Sequence, residues 1–420
     1  MDTDLFLKVD KKAILYNLIN LKQLVFEVTD ACNLRCKYCG YAELYEGYDL
    51  REDKYLPIEK AKLIIDYLAD IWRTHLSKSL VQPVVFGFYG GEPLMNMKFI
   101  KEVINYLDTI KEVGKQFFFS MTTNAMLLNK YMDYIAEKKI QLLISLDGDE
   151  QGQSYRVDAS GKNSFDRVIR NVKKLQEQYP DYFRKYVNFN SVLHNRNSVE
   201  STYHFIKNNF SKETRISPLN NSGIRLDKIE EFRNTYQNVE ESIKKSLNCE
   251  VLEAELFIKE PKTGTLLSFI HNYSENVYDN YNDLFIDKSK LQSCPTGTCP
   301  PFYKKMFVTV NGKILQCEKI NHEFALGQVY DDRVELYLEK AAKQHNDYVF
   351  RYQKQCAVCS INKQCIQCVF QIDDIHKPDT KCFGFRNAEA HKRYIKNNID
   401  YLRKHPKLYG RLMREARISD

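Results

Sequence analysis

Three cysteines near the N-terminus have the spacing of iron–sulfur ligands. Cys32, Cys36 and Cys39 follow one another as C-x3-C-x2-C on one short stretch, and their thiolates can hold three irons of a [4Fe-4S] cube. No fourth cysteine lies near them in the sequence. We therefore expect one iron of the cube to stay open for another ligand. A half zinc site needs paired C-x2-C knuckles and a redox dithiol needs a lone C-x-x-C, so both fit this spacing poorly.

The octapeptide that carries these cysteines, CNLRCKYC, resembles the motif of the radical S-adenosylmethionine (SAM) superfamily. An open iron can chelate the amino and carboxylate groups of SAM, and one electron from the cluster then breaks the sulfonium and releases a 5′-deoxyadenosyl radical. SAM and a [4Fe-4S] cluster are therefore the expected cofactors of this half of the chain. Tyr38, just before the last cysteine, is expected beside the adenine.

A second motif, Gly90-Gly91-Glu92-Pro93, follows the next predicted strand. Glycines let the backbone approach a ligand closely, and the Glu92 carboxylate can accept a hydrogen bond from an ammonium. The motif resembles the GGEP sequence of the same superfamily, which holds the methionine amino group of SAM. Its place one βα unit after the cysteines favours this role over that of a simple turn.

Further polar residues stand at the ends of later strands. By the same resemblance, four of them line the ribose and carboxylate of SAM: Thr123, Asn124, Ser145 and Arg156. Asn190, which should point inward on the fifth strand, is a similar candidate. These positions place cofactor binding at the carboxyl edge of a parallel sheet.

The elements that must position these residues alternate between strands and helices. Short apolar runs predict strands at residues 24–28, 84–88, 117–121, 142–146 and 187–192, with a weaker one near 215–216. Helical spacing follows the strands, as in the helix that opens after Pro57. Such alternation predicts a parallel sheet with the site at the strand C-termini. Six units give an α/β fold, a partial (β/α)6 TIM-type barrel that is open on one side.

The C-terminal part carries a second set of cysteines. Eight cysteines suit two fully ligated [4Fe-4S] clusters: Cys294, Cys299, Cys317, Cys356, Cys359, Cys365, Cys368 and Cys382. Two zinc sites of four cysteines each need the same number, and C-x2-C knuckles bind either metal. Alternation over residues 304–315 around Asn311-Gly312 predicts a β-hairpin with a two-residue turn, which brings Cys299 and Cys317 close together.

The order of these cysteines resembles the SPASM domain of peptide-modifying radical SAM enzymes. The resemblance implies one auxiliary cluster on Cys294, Cys299, Cys317 and Cys368 and a second on Cys356, Cys359, Cys365 and Cys382. The family more often has C-x3-C where Cys365 and Cys368 are two residues apart, so the assignments of these two can exchange. With the N-terminal half, the resemblance covers most of the chain and implies three [4Fe-4S] clusters.

Full ligation indicates that the auxiliary clusters accept electrons rather than grip a substrate. A carbon radical on the substrate must lose an electron, and usually a proton, before a new bond forms. Glu318 follows Cys317 directly. In sulfatase-maturing relatives an aspartate follows the matching cysteine and serves as base, so the resemblance makes Glu318 the candidate catalytic base. The alternative is a solvent-facing strand residue that pairs with a nearby lysine.

Composition bounds the remaining possibilities. The chain has 420 residues, 43% hydrophobic and 28% charged, which is ordinary for a globular protein with a large core. No apolar run approaches the length of a membrane span, and the net charge of +7 is spread along the chain, so neither membrane nor nucleic-acid binding is expected. Clustered reduced cysteines indicate a cytoplasmic protein, and oxygen-labile clusters indicate an anaerobic or microaerobic host.

The sequence divides into five parts by these patterns. They are a lead-in (1–23), the barrel (24–222), a helical bridge (223–292), the SPASM domain (293–390) and a C-terminal helix (391–420). Helical spacing from 229 to 247 predicts one long amphipathic helix in the bridge, and the Tyr- and Asn-rich stretch 272–285 predicts a loop. Cys249 stands alone there and is expected to be a buried neutral thiol.

Two enzyme functions share this machinery. One is a maturase that abstracts a hydrogen atom from a ribosomally made peptide and installs a thioether or carbon-linked cross-link. The other is an anaerobic sulfatase-maturing enzyme that oxidises Cys or Ser to formylglycine. Cys39-Gly40-Tyr41, with Tyr45 and Arg51 downstream, looks more like the peptide maturases, since sulfatase maturases usually have an aromatic residue after the third cysteine. An iron–sulfur electron carrier or a zinc-stabilised scaffold is the alternative from another class.

The expected partners follow from these functions. The substrate is a ribosomal precursor peptide, or a sulfatase in the second reading. An electron donor such as flavodoxin or ferredoxin must reduce the first cluster. Only some two dozen residues precede the first predicted strand, so leader recognition, if it is needed, falls to the core domains or to a separate leader-binding protein.

Overall fold

A computed structural model describes residues 6–78, 83–110, 113–274, 295–362, 365–373, 375–377 and 380–416, with the side chains of 271–274 left out. Cys294 and the loop predicted from residue 275 onward lie outside the described residues. The chain forms two compact units. The larger unit comprises residues 9–238 and 299–345, and the smaller one comprises 1–8, 239–298 and 346–420. Residues 299–345, which the sequence analysis assigns to the SPASM domain, thus cluster with the barrel.

Ten strands within the described residues belong to the larger unit. They are β1 Gln23–Thr29, β2 Val84–Gly90, β3 Phe117–Thr123, β4 Gln141–Ser145, β5 Val187–Leu193, β6 Thr214–Pro218, β7 Met306–Val308, β8 Lys313–Leu315, β9 Gly327–Val329 and β10 Val334–Glu335. They form one sheet in the order β10-β9-β8-β7-β1-β2-β3-β4-β5-β6. The six predicted strands are confirmed to within two residues at each end.

Neighbouring strands from β1 to β6 are parallel. Helices connect them, and the described helices are α1 Lys11–Ile19, α2 Ile58–Thr74, α3 Met97–Leu107, α4 Met132–Glu137, α5 Phe165–Gln178, α6 Pro180–Tyr186, α7 Val199–Phe210 and α8 Ile229–Thr235. β1 is buried along almost its whole length, as expected of a parallel strand covered on both faces. The larger unit is therefore the predicted partial (β/α)6 barrel, and all strand C-termini point to one edge.

The predicted hairpin extends the sheet beyond β1. β7 runs parallel to β1, and β8 returns antiparallel to β7. The turn is longer than the predicted two residues. Thr309 donates its N–H to the Lys313 carbonyl, and residues 309–312 lie outside both strands. Gly312 takes a positive φ of 83° and donates its N–H to the Thr309 carbonyl, so Asn311 and Gly312 are not together the centre of the turn.

The helical pattern over residues 229–247 does not form one helix. α8 ends at Thr235, and the next helix, α9, covers Val239–Lys244. Between them Tyr236 is extended and pairs with His194 as an isolated β-bridge. The prediction of one long helix is wrong because this backbone pairing interrupts a side-chain pattern that continues on both sides of the break.

The smaller unit is helical where it is described. Its helices are α10 Cys249–Leu256, α11 Pro261–Ser274, α13 Gln353–Ala357, α14 Ala388–Lys404 and α15 Pro406–Glu415, together with α9, while α12 Leu338–Val349 spans the division between the units. Pro406 divides the predicted C-terminal helix into α14 and α15, because the residue before a proline avoids helical backbone. Cys249 is half-buried rather than buried. No helix in the described part of the chain combines the length and apolarity needed to cross a membrane.

A buried carboxyl group on β1 forms a hydrogen bond to the hairpin. Glu27 on β1 is only 2% exposed, and its Oε2 accepts the N–H of Val310 in the hairpin turn at 2.9 Å. Burial raises the pKa of Glu27 from 4.5 to about 7, because the charged form is poorly solvated there. The folded chain therefore binds a proton at Glu27 more tightly than the unfolded chain does.

This difference predicts a pH-dependent effect of Glu27→Gln. Between pH 5 and pH 8 the native protein must hold an increasingly charged Glu27, so its free energy of unfolding falls by up to about 3 kcal/mol relative to a neutral residue. Glutamine keeps the acceptor for Val310 and stays neutral. Thermal unfolding of the cofactor-free protein should show Glu27→Gln gaining stability over the native chain as the pH rises.

The exposed helical residue Glu59 provides the control. Glu59→Gln should leave the difference from the native chain unchanged between the two pH values. An equal offset for Glu27→Gln at pH 5 and pH 8 would show that this carboxyl group carries no raised pKa in the folded protein.

Candidate active site

The cysteine loop and the GGEP loop lie side by side at the carboxyl edge of the sheet. Gly91 donates its N–H to the Thr29 carbonyl at 2.8 Å, and Glu92 donates to the Ala31 carbonyl at 2.9 Å. Two glycines make this approach possible. A Cβ at Gly91 would stand 2.0 Å from the Ala31 oxygen, and one at Gly90, where φ is 124°, would stand 2.3 Å from the Thr29 oxygen. Any side chain at either position would push the two motifs apart.

Glu92 links the GGEP loop to the end of β3. Its side chain is fully buried and accepts three hydrogen bonds, from Leu94 N at 3.0 Å, Thr123 Oγ1 at 2.7 Å and Asn124 N at 2.8 Å. Burial raises the pKa of Glu92 to about 7, against the effect of these donors. A buried carboxylate at this edge would gain from a cation beside it. Pro93 is buried and starts the short 3-10 helix that follows.

Asn124 reaches from β3 to the cysteine loop. Its Nδ2 donates to Asn33 Oδ1 at 2.8 Å and lies 3.8 Å from the Cys32 sulfur. Ser145 ends β4, and its register partner Asn190 lies within β5; both are half-buried. The candidate SAM contacts thus come from the neighbouring strands β2 to β5 and the loops that follow them.

The three cysteine sulfurs lie close together and are surrounded by donors. Cys32 Sγ receives the Leu34 N–H at 3.4 Å, and Cys39 Sγ receives Arg51 Nη2 at 3.6 Å. Burial raises the pKa of Cys36 to about 12, and proximity of the other two thiolates adds to the rise. Burial also raises the pKa of Cys32, so metal binding at Cys32 and Cys36 must displace protons.

A buried ion pair contacts the cysteine loop through Tyr38. Asp147, which follows β4, accepts Arg156 Nε at 2.8 Å and Nη2 at 3.1 Å, and also the Tyr38 hydroxyl. Burial alone would raise the pKa of Asp147, but the Arg156 charge holds it well below its usual range. His194 Nε2 lies 3.8 Å from the same carboxylate. The Tyr38 hydroxyl is thereby held by Asp147, and Arg156 uses two of its nitrogens for the same carboxylate.

Backbone contacts complete this support. Arg35 donates to the Val157 carbonyl at 2.7 Å, and Lys37 donates to the Tyr155 carbonyl at 3.2 Å. The segment that carries Arg156 therefore pairs with the cysteine loop directly. The loop keeps its shape through bonds that do not use the cysteine side chains.

A cavity of about 290 Å³ lies inside the barrel, with walls from β1 to β5. Glu318 and Lys305 both line it. Glu318 Oε1 accepts Lys305 Nζ at 3.0 Å, and Glu318 Oε2 is 3.7 Å from the Cys317 sulfur. Glu318 lies in a turn after β8, and its side chain is 16% exposed and lines this cavity rather than facing open solvent. The alternative is right that Glu318 pairs with a lysine, and that lysine is Lys305.

The cysteines of the smaller unit form a second group. Burial raises the pKa of Cys356 to about 11, and the thiolates of Cys365, Cys382 and Cys359 raise it further. Cys365 and Cys359 act on Cys382 in the same way. The four side chains assigned to the second auxiliary cluster are thus close enough to interact. A fully ligated cube needs this number of thiolates.

The first auxiliary set is described only in part. In the larger unit Gln316, next to Cys317, donates its Nε2 to the Cys299 carbonyl at 3.2 Å, so these two cysteine segments are adjacent as predicted. Cys368 belongs to the smaller unit, and Cys294 lies outside the described residues. This ligand set stays a prediction.

The cysteine groups have the donors that a cube needs. In a cube each cysteine binds a different iron, and the three loop thiols are near enough to one another to interact electrostatically. Cys32, Cys36 and Cys39 would hold the SAM-binding cluster, and the rim residues would hold SAM.

The structure adds site residues that the sequence analysis did not assign. Asp147 stands in the Ser-Leu-Asp-Gly stretch after β4, so its motif was visible but its role was not. Glu27, His194 and Lys305 carried no signal, because a buried polar residue on a strand or loop is recognised only from its partners.

Comparison with known proteins agrees with this geometry. Residues 26–207 match the family model of the Radical SAM superfamily. The chain is 23% identical over 353 residues to a cysteine-type anaerobic sulfatase-maturating enzyme of Clostridium novyi (strain NT), an alignment that covers 81% of this chain and 85% of that protein. It is 24% identical over 216 residues to the radical SAM cyclopropyl synthase TigE of Paramaledivibacter caminithermalis, covering 49% of this chain and 42% of that protein.

A solved structure shares the fold. Native anSMEcpe with bound AdoMet and Cp18Cys peptide superposes with a TM-score of 0.55 at 19% identity, covering 94% of this chain and 99% of the other. The family match, the paired cysteine and GGEP loops and the partial barrel lead to one conclusion: residues 26–207 form a radical SAM domain, the domain of a superfamily whose enzymes use SAM and a [4Fe-4S] cluster.

Proposed function

We propose that this enzyme abstracts a hydrogen atom from a ribosomally made peptide and installs an intramolecular cross-link. The observation that carries the proposal is the position of Glu318, which faces the barrel cavity beside Cys317. Radical SAM chemistry needs no base to abstract hydrogen. A base inside the barrel therefore indicates an oxidation in which the substrate also loses a proton.

The proposed reaction balances as a two-electron oxidation. The 5′-deoxyadenosyl radical takes a hydrogen atom from a substrate carbon, and Glu318 takes the proton of the attacking thiol or other group. A bond forms between the two, and the remaining electron passes to the auxiliary clusters. Lys305, 3.0 Å from Glu318, positions the carboxylate toward the cavity and offsets its charge.

The loop after Cys39 supports cross-linking over sulfatase maturation. Gly40 stands where sulfatase maturases usually have an aromatic residue, and a Cβ there would meet no atom within 4 Å. Tyr41 and Arg51 instead pack against each other, with the guanidinium 4.5 Å from the ring centroid. The residues after Cys39 in this chain therefore differ from those usual in sulfatase maturases.

The second candidate is formylglycine formation in a sulfatase. The long alignment with the Clostridium novyi enzyme favours it, whereas the alignment with the cyclopropyl synthase covers about half of this chain. The same base and the same cavity would serve, because a Cys or Ser side chain must also lose a hydrogen atom, a proton and an electron.

The remaining partners follow from the chemistry. A low-potential carrier such as flavodoxin or ferredoxin would reduce the SAM-binding cluster, and we place the reaction in the cytoplasm, where thiols stay reduced.

Cluster roles are separable by substitution. Anaerobically reconstituted protein should bind about twelve irons as three cubes. Cys36→Ala should abolish reductive cleavage of SAM, whereas Cys359→Ala should keep cleavage and lose peptide product, as followed by 5′-deoxyadenosine release and mass spectrometry. Normal 5′-deoxyadenosine release from Cys36→Ala would contradict the SAM-cluster assignment, and a zinc content with only about four irons would contradict the auxiliary clusters.

Glu318→Gln tests the base. Glutamine keeps the size and accepts the Lys305 hydrogen bond, but it cannot take a proton, so product formation should fall by roughly 10²- to 10⁴-fold. Deuterium transfer from labelled substrate into 5′-deoxyadenosine should persist, since abstraction comes first. Lys305→Met keeps the base and removes its positioning partner, so product formation should fall less than it does in Glu318→Gln. Product within a few-fold of the native yield in Glu318→Gln would exclude the base role.

The type of product distinguishes the two candidates. Short cysteine-containing peptides encoded near this chain and a sulfatase-derived peptide should be offered separately. A cross-linked product loses two hydrogens and does not react with a hydrazide probe, whereas formylglycine carries an aldehyde that does. An aldehyde product from the sulfatase peptide, with no change in the precursor peptides, would replace the first function by the second.

A further inference from the structure

The third cysteine of the SAM-binding loop has a charged hydrogen-bond donor. Arg51 Nη2 lies 3.6 Å from Cys39 Sγ. The Cys32 sulfur receives only a backbone N–H and the Asn124 amide. Within the described residues, Cys39 is thus the loop cysteine whose sulfur accepts from a cation. Such charge-assisted bonds are stronger than neutral ones.

The protein holds Arg51 in this position without a carboxylate partner. Its guanidinium carbon stands 4.5 Å from the Tyr41 ring centroid, in the range of a cation–π contact. Tyr41 packs in turn on Tyr48, with ring centroids 5.0 Å apart. Among the described residues no carboxylate oxygen lies within 4 Å of Arg51, and its Nε is buried and has no hydrogen-bond partner. The Cys39 sulfur is therefore the hydrogen-bond acceptor of the guanidinium, while the charge of Arg51 also acts on Glu27 from more than 4 Å away.

Arg51 is half-buried and its Nε is enclosed, so negative groups near the guanidinium stabilise its charge. The group that gains negative charge here is an iron–sulfur cluster as it takes up an electron. Hydrogen bonds to the ligand sulfurs and nearby positive charge set the reduction potential of such a cluster. Both effects stabilise the reduced form, because added electron density resides partly on sulfur and interacts more strongly with Arg51 at low dielectric.

We propose that Arg51 is a positioning residue which, held on the Tyr41 ring, raises the reduction potential of the SAM-binding cluster through its bond to the Cys39 sulfur. The inference depends on the radical SAM domain and on the Cys39 ligand, and it is independent of whether the product is a cross-link or formylglycine. It explains why Arg51 lies on the cluster loop although it contacts no other acidic group.

The role has a kinetic consequence. Without Arg51 the cluster should accept an electron less readily from a given donor. Once reduced, it should drive SAM cleavage at least as well as before, because a more negative potential gives the electron more driving force. Loss of Arg51 should therefore slow reduction and spare the cleavage that follows.

The test measures the midpoint potential of the electron paramagnetic resonance signal that SAM perturbs, in the full-length reconstituted protein. Arg51→Met should shift this potential to a more negative value, and Arg51→Lys, which keeps the charge but not the planar fork, should shift it less. Titanium(III) citrate, a stronger reductant, should restore single-turnover 5′-deoxyadenosine release in Arg51→Met to the native extent.

Arg35 offers a matched control on the same loop. It is an exposed arginine whose Nη1 donates to the Cys32 carbonyl at 2.6 Å and to the Leu34 carbonyl at 3.2 Å, and not to a sulfur. Arg35→Met removes the same charge next to the cluster ligand Cys36, and it should leave the potential near the native value. An equal shift in both variants would show a general charge effect and would overturn the proposal.

The Tyr41 ring gives a second, independent test. Its hydroxyl is buried without a hydrogen-bond partner among the described residues, so Tyr41→Phe keeps the platform for Arg51 and should keep the potential. Tyr41→Leu removes the platform and should shift the potential in the same direction as Arg51→Met. If Arg51→Met does not retain its iron, the comparison of Tyr41→Phe with Tyr41→Leu tests the proposal instead. A native potential in Tyr41→Leu would overturn the proposal, and so would a native potential in Arg51→Met that has its full iron content.

Discussion

The close approach of two backbone segments at the carboxyl edge of the barrel determines the rest of the site. The GGEP loop donates two N–H groups to carbonyls of the cysteine loop, and Gly90 and Gly91 leave room for that contact. Since β1 and β2 are adjacent parallel strands, their C-terminal ends lie side by side. The glycines let the loops after these ends approach closely enough to form hydrogen bonds. Glu92, Thr123 and Asn124 are then placed by hydrogen bonds that start from this pair of loops.

Buried charge explains how the cysteine loop stays ordered. Asp147, Arg156 and Tyr38 form a hydrogen-bonded group beside the loop, and these bonds do not use the cysteine side chains. Burial raises the pKa values of Cys32 and Cys36, so cluster binding at these two residues must displace protons.

Much of the fold and part of the site could be predicted from the sequence. Parallel strands buried on both faces give continuous apolar runs, so β1 to β5 were predictable, and the cysteine and GGEP motifs are short enough to recognise directly. Glu27, Lys305 and the Asp147–Arg156 pair depend on partners distant in the chain, and no local pattern reports such contacts. The helix predicted over residues 229–247 failed for the same reason, since a pairing between His194 and Tyr236 interrupts it. The hairpin was predicted, but its longer turn depends on a Thr309–Lys313 contact that the Asn-Gly signal does not contain.

The central claim is that Cys32, Cys36 and Cys39 leave one iron open for the amino and carboxylate groups of SAM. The most direct measurement is electron–nuclear double resonance on the reduced protein with SAM labelled by ¹⁵N at the amino group and ¹⁷O at the carboxylate. The account predicts strong couplings from both labels, as direct iron ligation requires, and their loss in Cys36→Ala. A SAM-bound reduced protein in which neither label couples to the cluster would contradict it.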